Sequence, residues 1–430
     1  MNIVMMTNTY SPFVGGVERS VSRCTELYRD EGHRVLVIAP EYEGRPEHEE
    51  DVVRVPAIQH FNSTDFSVRL PIPGYLSGTV KDFGPDIIHS HHPFLLGDTA
   101  VRISAKSGKP LVFTFHTFYE KYTHYAPGNS EPVKQFIKNL SVRYANLCGR
   151  VFAPSESVRD ELEKRGVVSP MKVIPTGVDT ERFKNGNGAA FRESAGIPDD
   201  TFVAGFVSRI EPEKNIGFLS KAVISFLQHN ENSRFIAVGS GSSEEYMKTL
   251  FRAAGLKDRF HACGTMEGEE LCSAYSAMDV FAFASHTETQ GLVLGEAMSA
   301  GVPVVAVDAA GVREIVNDGA NGILLEKDDT GAFAKALETI KHLDPEQRAG
   351  YKRNARETAE EYSDRRCAAR ALQEYEEVID EYMRGRSTDY GAWEKLKNMA
   401  SAEWDLLKNK TGATVSAVEN VILSGDTDEE

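Results

Sequence analysis

Cysteine is scarce and unpatterned in this chain. The five cysteines, at positions 24, 148, 263, 272 and 367, form no Cys-x-x-Cys pair, so neither a zinc site nor a disulfide framework is suggested. Positive charge is also short. Lysine and arginine number 48 against 64 aspartates and glutamates, and the net charge of −16 argues against general nucleic-acid binding. A local basic patch is compatible with that total. No apolar run reaches the ~20 residues a bilayer span requires, and the amino terminus enters a strand with no charged-then-apolar leader. A reducing cytoplasm fits both observations. There is no Gly-x-Gly-x-x-Gly fingerprint for a dinucleotide. Nor is any Asp-x-Asp placed to hold a metal-bound diphosphate, so the expectation is no cofactor and no obligatory metal.

What is present is alternation. A chain of 430 residues is long enough for two domains with sizeable cores. Apolar runs at Asn2–Met6, Val35–Ala39, Asp86–His89, Leu111–Phe115, Arg150–Ala153 and Lys172–Gly177 alternate with helical patterns and read as buried parallel strands. Asn185-Gly-Asn-Gly, a helical stretch and Ile197-Pro-Asp-Asp then read as the linker. A second series follows at Phe202–Val207, Arg234–Val238, Phe260–Cys263, Val280–Ala284, Val304–Val307 and Ile323–Leu325. The expected fold class is α/β, with two doubly wound, Rossmann-like parallel-sheet domains facing a deep cleft. The expected divisions are residues 1–184, residues 185–365, a helix over 366–385 packing back on the first domain, and a helical, acidic tail over 386–430.

The most informative segment runs from Ser285 to Ala306. It holds Glu288 and Glu296, with Gly291 between them and a small-residue helix behind. Strand, loop, helix, strand is the natural reading. Glu288 then lies at a strand's carboxyl end, where open α/β sheets bind ligands. The amides of Gly291, Leu292 and Val293 open a helix, where an anion is favoured. A surface loop residue and a solvated helix residue are the plain alternative for the two glutamates. Arg209 follows a strand and Lys214 enters a helix. Together they form either a cation pair suited to a departing diphosphate or two ordinary surface cations. Gly15 and Gly16 follow the first strand, where glycine permits close backbone approach and positive φ.

In order along the chain, Gly15-Gly-Val-Glu18, Gly205–Arg209 with Glu213-Lys-Asn215, Val238-Gly-Ser-Gly241, the Glu288/Glu296 segment and Asp308–Glu314 resemble the retaining glycosyltransferases of family 4, which have the GT-B fold. The likeness covers most of the chain from Met1 to about Met383. It implies a hexosyltransferase using a nucleotide-sugar donor and a hydroxyl acceptor, with retention by a front-face mechanism. It also implies roles. Arg209 and Lys214 hold the diphosphate, and Gly15 and Gly16 lie over the donor phosphates. Glu288 meets hexose hydroxyls, Glu296 the ribose diol, and His116 stands beside the hexose. A UDP-N-acetylhexosamine epimerase and a non-catalytic nucleotide-sugar-binding protein are the rival readings. The sequence does not name the sugar: UDP-glucose is favoured, with GDP-mannose as an alternative.

His91-His-Pro-Phe-Leu-Leu-Gly-Asp98 and Phe118–Tyr125 are similar to the diacylglycerol glucosyltransferase branch of that family. His91, Asp98, Tyr119, Tyr122 and His124 are therefore expected on the acceptor side, with a membrane lipid as one acceptor and a soluble sugar or glycan as another. A metal reading of His89, His91 and His92 is weakened by alternation, which sets His91 and His92 on opposite sides. Two further segments bear on membranes. The helix-like stretch 132–147 carries Phe136, Ile137, Leu140, Tyr144 and Leu147 on one face, with Lys134, Lys138 and Arg143 around it. That face packs on a core or lies peripherally on an anionic bilayer. In the tail, Trp393, Leu396, Ala400, Trp404 and Leu407 share another face, which packs on the protein body or meets a membrane or partner.

Overall fold

Strands that are apolar at every position need cover on both faces, and this requirement organises the molecule. The computed structural model describes residues 1–12, 15–58, 68–69, 76–121, 130–385, 401 and 404–411. They fall into two units: Met1–Pro175 with the chain from Ala368 onward, and Thr176–Cys367.

In the first unit, strands β1 (Asn2–Met6), β2 (Arg34–Pro40) and β3 (Val52–Val55) are followed by a short antiparallel pair, β4 (Ala57–Ile58) and β5 (Val68–Arg69). Strands β6 (Ile87–Ser90), β7 (Leu111–Thr114), β8 (Arg150–Ala153) and β9 (Met171–Val173) complete it. Seven strands form one parallel sheet in the order β3-β2-β1-β6-β7-β8-β9. Helices α1 (Gly16–Asp30), α2 (Ser77–Phe83), α3 (Leu96–Ser107), α4 (Glu131–Ala145) and α5 (Glu156–Lys164) intervene. The period of two is visible in β1. Val4 and Met6 join one core with Ile88, Phe113 and Tyr144, whereas Ile3 and Met5 join the other with Val37, Ile87 and Phe152.

The second unit contains β10 (Phe202–Val207), β11 (Ser233–Val238), β12 (Phe260–Gly264), β13 (Val280–Phe283), β14 (Val304–Val307) and β15 (Gly322–Leu325). They form a parallel sheet ordered β12-β11-β10-β13-β14-β15. Its helices are α6 (Thr180–Lys184), α7 (Gly188–Ser194), α8 (Ile216–His229), α9 (Glu244–Ala253), α10 (Gly268–Ser276), α11 (Leu292–Ser299), α12 (Thr330–Lys341) and α13 (Pro345–Glu361). A last helix, α14 (Asp364–Arg384), starts in this unit. From Ala368 on it belongs to the first, where Ala368, Ala371, Leu372, Tyr375 and Val378 close the core that Ile3 and Met5 line. Arg150 of β8 bonds Glu381 at 2.8 Å and pairs with buried Glu374, fixing α14 to that strand.

At three places the structure adds to or differs from these expectations. The chain enters the second unit at Thr176, before the glycine-rich stretch read as a linker. Gly186 and Gly188 instead seat α7 against α10: a Cβ on Gly186 would lie 2.1 Å from the Cys272 carbonyl oxygen, and one on Gly188 2.3 Å from that of Ser276. Glycine there serves close packing. Strand β3 is additional to the expected set. It is short and at the sheet edge, and it buries Arg54 through an ion pair with Glu49 at 2.6 Å, so its charge hides the strand pattern. In the tail, Trp404 and Leu407 are exposed while Leu406 and Asn409 are buried, and Lys410 pairs with Asp98 at 2.6 Å. The packed face is therefore not the tryptophan face. Trp393, Leu396 and Ala400 lie outside the described residues.

Helix α4 divides its apolar side. Leu140, Tyr144 and Ala145 are buried, Tyr144 and Ala145 within the core, and Val133, Phe136 and Ile137 are half-buried. Among the described residues no helix is long and apolar enough to cross a membrane.

Candidate functional site

In both sheets the first strand has neighbours on either side that the chain reaches in opposite directions: β1 between β2 and β6, β10 between β11 and β13. Such switch points at the carboxyl ends of strands are where open α/β sheets take ligands. The loops that leave these strands carry most of the expected residues.

In the second unit, β10 runs into Arg209 and the short turn Pro212–Lys214. Proline starts the turn, and Asn215, at φ 56°, ends it in the left-handed conformation that asparagine tolerates. The turn directs Lys214 inward, and its ammonium pairs with Glu288, which leaves β13. Their side chains are 9% and 18% exposed, so the pair is largely withdrawn from water. Burial alone would raise the Glu288 pKa. The Lys214 charge and hydrogen bond, the Ser285 hydroxyl and the field of Arg209 outweigh it, and the carboxyl is held below its ordinary value. Arg209 is half-exposed and bonds Glu213 at 3.0 Å. Arg209 is thus matched to a carboxylate of its own loop, and Lys214 to one on the loop after β13.

The loop is held by its neighbour. Ile210 donates its amide to Ser240 at 2.9 Å, and Ser243 donates to Ile210 at 2.9 Å. Glu211 accepts from the Ser242 amide at 3.1 Å. The approach requires glycine: a Cβ on Gly239, at φ +130°, would stand 1.9 Å from the Ser208 carbonyl oxygen. Gly291 caps α11 at φ +71°, and Leu292 and Val293 form its first turn. Glu296, one turn on, accepts from the buried Tyr275 hydroxyl at 2.6 Å. The segment is strand, loop and helix as its sequence implies, with one carboxylate on Lys214 and the other on Tyr275. Gln290 accepts the Thr176 amide at 2.8 Å.

In the first unit, Gly15 caps α1 in extended backbone and Gly16 is its first residue. A Cβ on Gly16 would meet nothing within 4 Å. Positive φ is therefore not what these glycines provide, a correction to that part of the expectation. Glu18 in the same turn is buried, and burial pushes its carboxyl up to about 7.

Four histidines gather at the carboxyl ends of β6 and β7. His89 is hydrogen-bonded to the Tyr375 hydroxyl of α14 and, at 2.7 Å, to Thr114. His91 and His116 join Nδ1 to Nε2 at 2.9 Å. His92 Nδ1 accepts the Asn8 amide at 3.1 Å. Burial drives His89 and His92 down to about 3 and His116 to about 4. His91 is lowered further by burial and by its three neighbours. All four are neutral at pH 7. Tyr119 packs against Phe94 and His92, with ring centroids at 5.1 and 6.2 Å. Asp98, in the first turn of α3, is buried with Lys410 on one oxygen. Tyr122 and His124 lie outside the described residues. No group of three or more histidine, cysteine, aspartate or glutamate residues is arranged to hold a metal ion among the described residues.

Asn8 and Tyr375 were not singled out from sequence, and Ser285 and Glu213 were named only within motifs, without a role. Asn8 follows β1 and ties the 92–96 loop through Phe94 and Leu96 at 3.0 Å each. An asparagine two residues beyond the first strand was its signal. Nothing local in the sequence marks Tyr375, which reaches His89 across 286 residues.

Comparison with known proteins also divides the chain in two, with the break between residues 182 and 188. Residues 14–182 match Glycosyltransferase Family 4 and residues 188–358 match Glycosyl transferases group 1. The chain is 29% identical over 359 residues to an alpha-monoglucosyldiacylglycerol synthase of Acholeplasma laidlawii, covering 80% of this chain and 87% of that protein. It is 30% identical to a GDP-mannose-dependent alpha-mannosyltransferase of Corynebacterium glutamicum, covering 76% and 77%. The crystal structure of Anabaena Alr3699/HepE in complex with UDP-glucose superposes with a TM-score of 0.69 at 23% identity, over 89% of this chain and 100% of that one. The two parallel-sheet units and these neighbours define the GT-B fold.

Proposed function

The chain belongs to glycosyltransferase family 4 and is a hexosyltransferase that uses a nucleotide-sugar donor, and from that premise we propose that it moves glucose from UDP-glucose to diacylglycerol or a related glycolipid with retention. The buried Lys214–Glu288 pair carries the reading of the donor side. When the glycosidic bond breaks, negative charge grows on the departing diphosphate. Lys214, Arg209 and the amides that open α11 are the positive groups assigned to it. Glu288, held ionised by Lys214, is assigned to hexose hydroxyls, Glu296 to the ribose diol and His116 to the hexose. The leaving phosphate assists deprotonation of the incoming hydroxyl on the same face. No metal is needed in this scheme, since the cations of the chain supply the charge.

The acceptor reading rests on the likeness to the monoglucosyldiacylglycerol synthase and on α4. There Val133, Phe136 and Ile137 stand half-buried beside Lys134 and Lys138. That composition supports peripheral attachment to an anionic membrane, here assigned to its cytoplasmic face. The likeness to a GDP-mannose-dependent enzyme keeps mannosyl transfer as the second donor reading.

One experiment separates these readings. The protein is incubated with UDP-glucose or GDP-mannose and with diacylglycerol in anionic vesicles or a soluble glycoside. Product is identified by mass spectrometry and its anomeric configuration by NMR. An α-glucosyl lipid is expected. Transfer only from GDP-mannose, or only to the soluble acceptor, overturns the donor or the acceptor assignment respectively.

A further inference from the structure

The His91–His116 contact determines more than packing. His91 sits on His89, their ring centroids 4.1 Å apart. His89 is itself tied to Tyr375 and Thr114 through both ring nitrogens. His91 is also anchored through its backbone, whose amide donates to Met6 at 2.9 Å. Its Nδ1 meets His116 Nε2 at 2.9 Å, with ring planes only 22° apart and centroids 5.2 Å apart. That is the end-to-end disposition of an in-plane N–H···N bond. The remaining nitrogen of His91, Nε2, is buried with no hydrogen-bond partner.

Only one proton is shared between the two rings, and two arrangements are open to it. In the first, His91 carries hydrogen on Nδ1 and donates, so its orphan Nε2 is a bare lone pair. In the second, His116 donates from Nε2, so His91 must carry its own hydrogen on Nε2. The second buries an N–H with no acceptor, the rarer defect in folded proteins. The first therefore prevails, and it forces His116 to hold its hydrogen on Nδ1. We infer that His91 is a positioning residue that fixes His116 as the Nδ1–H tautomer, so that this nitrogen of His116 is a donor and not an acceptor. The inference rests on the assignment of His116 to the donor hexose made above. A ring locked from behind, in one tautomer and one orientation, is the arrangement by which a second residue tunes a histidine.

Two substitutions divide this role from simple space filling. His91→Phe keeps a ring on His89 but removes the donor. His91→Asn loses the ring but keeps an amide N–H near the position of Nδ1. We expect His91→Phe to lower kcat at least about tenfold with the donor KM nearly unchanged, and His91→Asn to recover most of the rate. Phenylalanine equalling or surpassing asparagine overturns the inference. Independently, long-range ¹H–¹⁵N NMR of histidine-labelled wild-type protein reads the tautomer directly, with the His116 signals identified by their loss in His116→Gln. Hydrogen on Nδ1 is expected, and hydrogen on Nε2 overturns it. The spectrum needs no substrate and no variant of His91. A wild-type protein that transfers no sugar would thus refute the functional reading while leaving the tautomer result intact.

Discussion

At the residue scale, a buried ion pair is judged by what remains when one partner goes. Lys214→Ala strands the Glu288 carboxylate, and we expect transfer to fall about a hundredfold or more. Stability at pH 7 should drop by roughly 3 kcal/mol. The Glu288 pKa is depressed in the native pair, so the stability it contributes is present above pH 4.5 and lost as pH falls below it. In the variant the lone carboxyl relaxes by protonation, and the difference from wild type should shrink towards pH 5. Urea unfolding of both proteins at pH 5 and pH 7 checks this, and an undiminished difference at pH 5 would contradict it. Glu18 gives the opposite sign. Its native pKa is raised from 4.5 to about 7, so its ionisation destabilises the fold as pH rises through that window. Glu18→Gln should gain up to roughly 3 kcal/mol over wild type at pH 8 and nothing near pH 4. The identity of these groups was only partly legible. Lys214 and Glu288 stand in spaced motifs. Glu18 reads as an ordinary helix-start glutamate, because burial of a single carboxyl is decided by tertiary packing.

At the element scale, the two loops after β10 and β11 act as one piece because glycine lets them touch. Gly239→Ala adds a Cβ 1.9 Å from the Ser208 carbonyl oxygen at a φ of +130°. The expected result is a loss of roughly 2 kcal/mol or more in thermal unfolding and, on the donor proposed above, weaker UDP binding by calorimetry, since the displaced loop carries Arg209 and Lys214. Unchanged UDP affinity would show that the loop's position is set elsewhere. Elements were the most legible level. Short, β-branched apolar runs such as Val304–Val307 read as strands buried on both faces. What escaped was β3, whose buried Arg54 breaks the apolar pattern, and the packed side of segment 404–411. There Leu406 and Asn409 face inward, and a helical wheel gives tryptophan more weight than its exposed position warrants.

At the scale of the whole molecule, four neutral histidines make the first unit sensitive to acid. His89, His92 and His116 are depressed to about 3, 3 and 4 from 6.5. Their contribution is therefore complete above pH 6.5 and lost as pH falls towards those values. Between about pH 6 and pH 4, these three should give unfolding a slope of up to roughly 4 kcal/mol per pH unit. A flat stability profile over that interval would show the cluster to be hydrated. The division of the chain was less legible than its strands, because a glycine-rich stretch signals a linker and a close helix contact equally well. Helix α14 adds a consequence for synthesis. The core lined by Ile3, Met5, Val35 and Val37 is closed by Leu372, Tyr375 and Val378, which leave the ribosome only after the entire second unit has been made. The earliest part of the chain is therefore the last to be finished. Throughout translation of residues 176–367 it presents an open apolar sheet face, a nascent surface for a chaperone to shield.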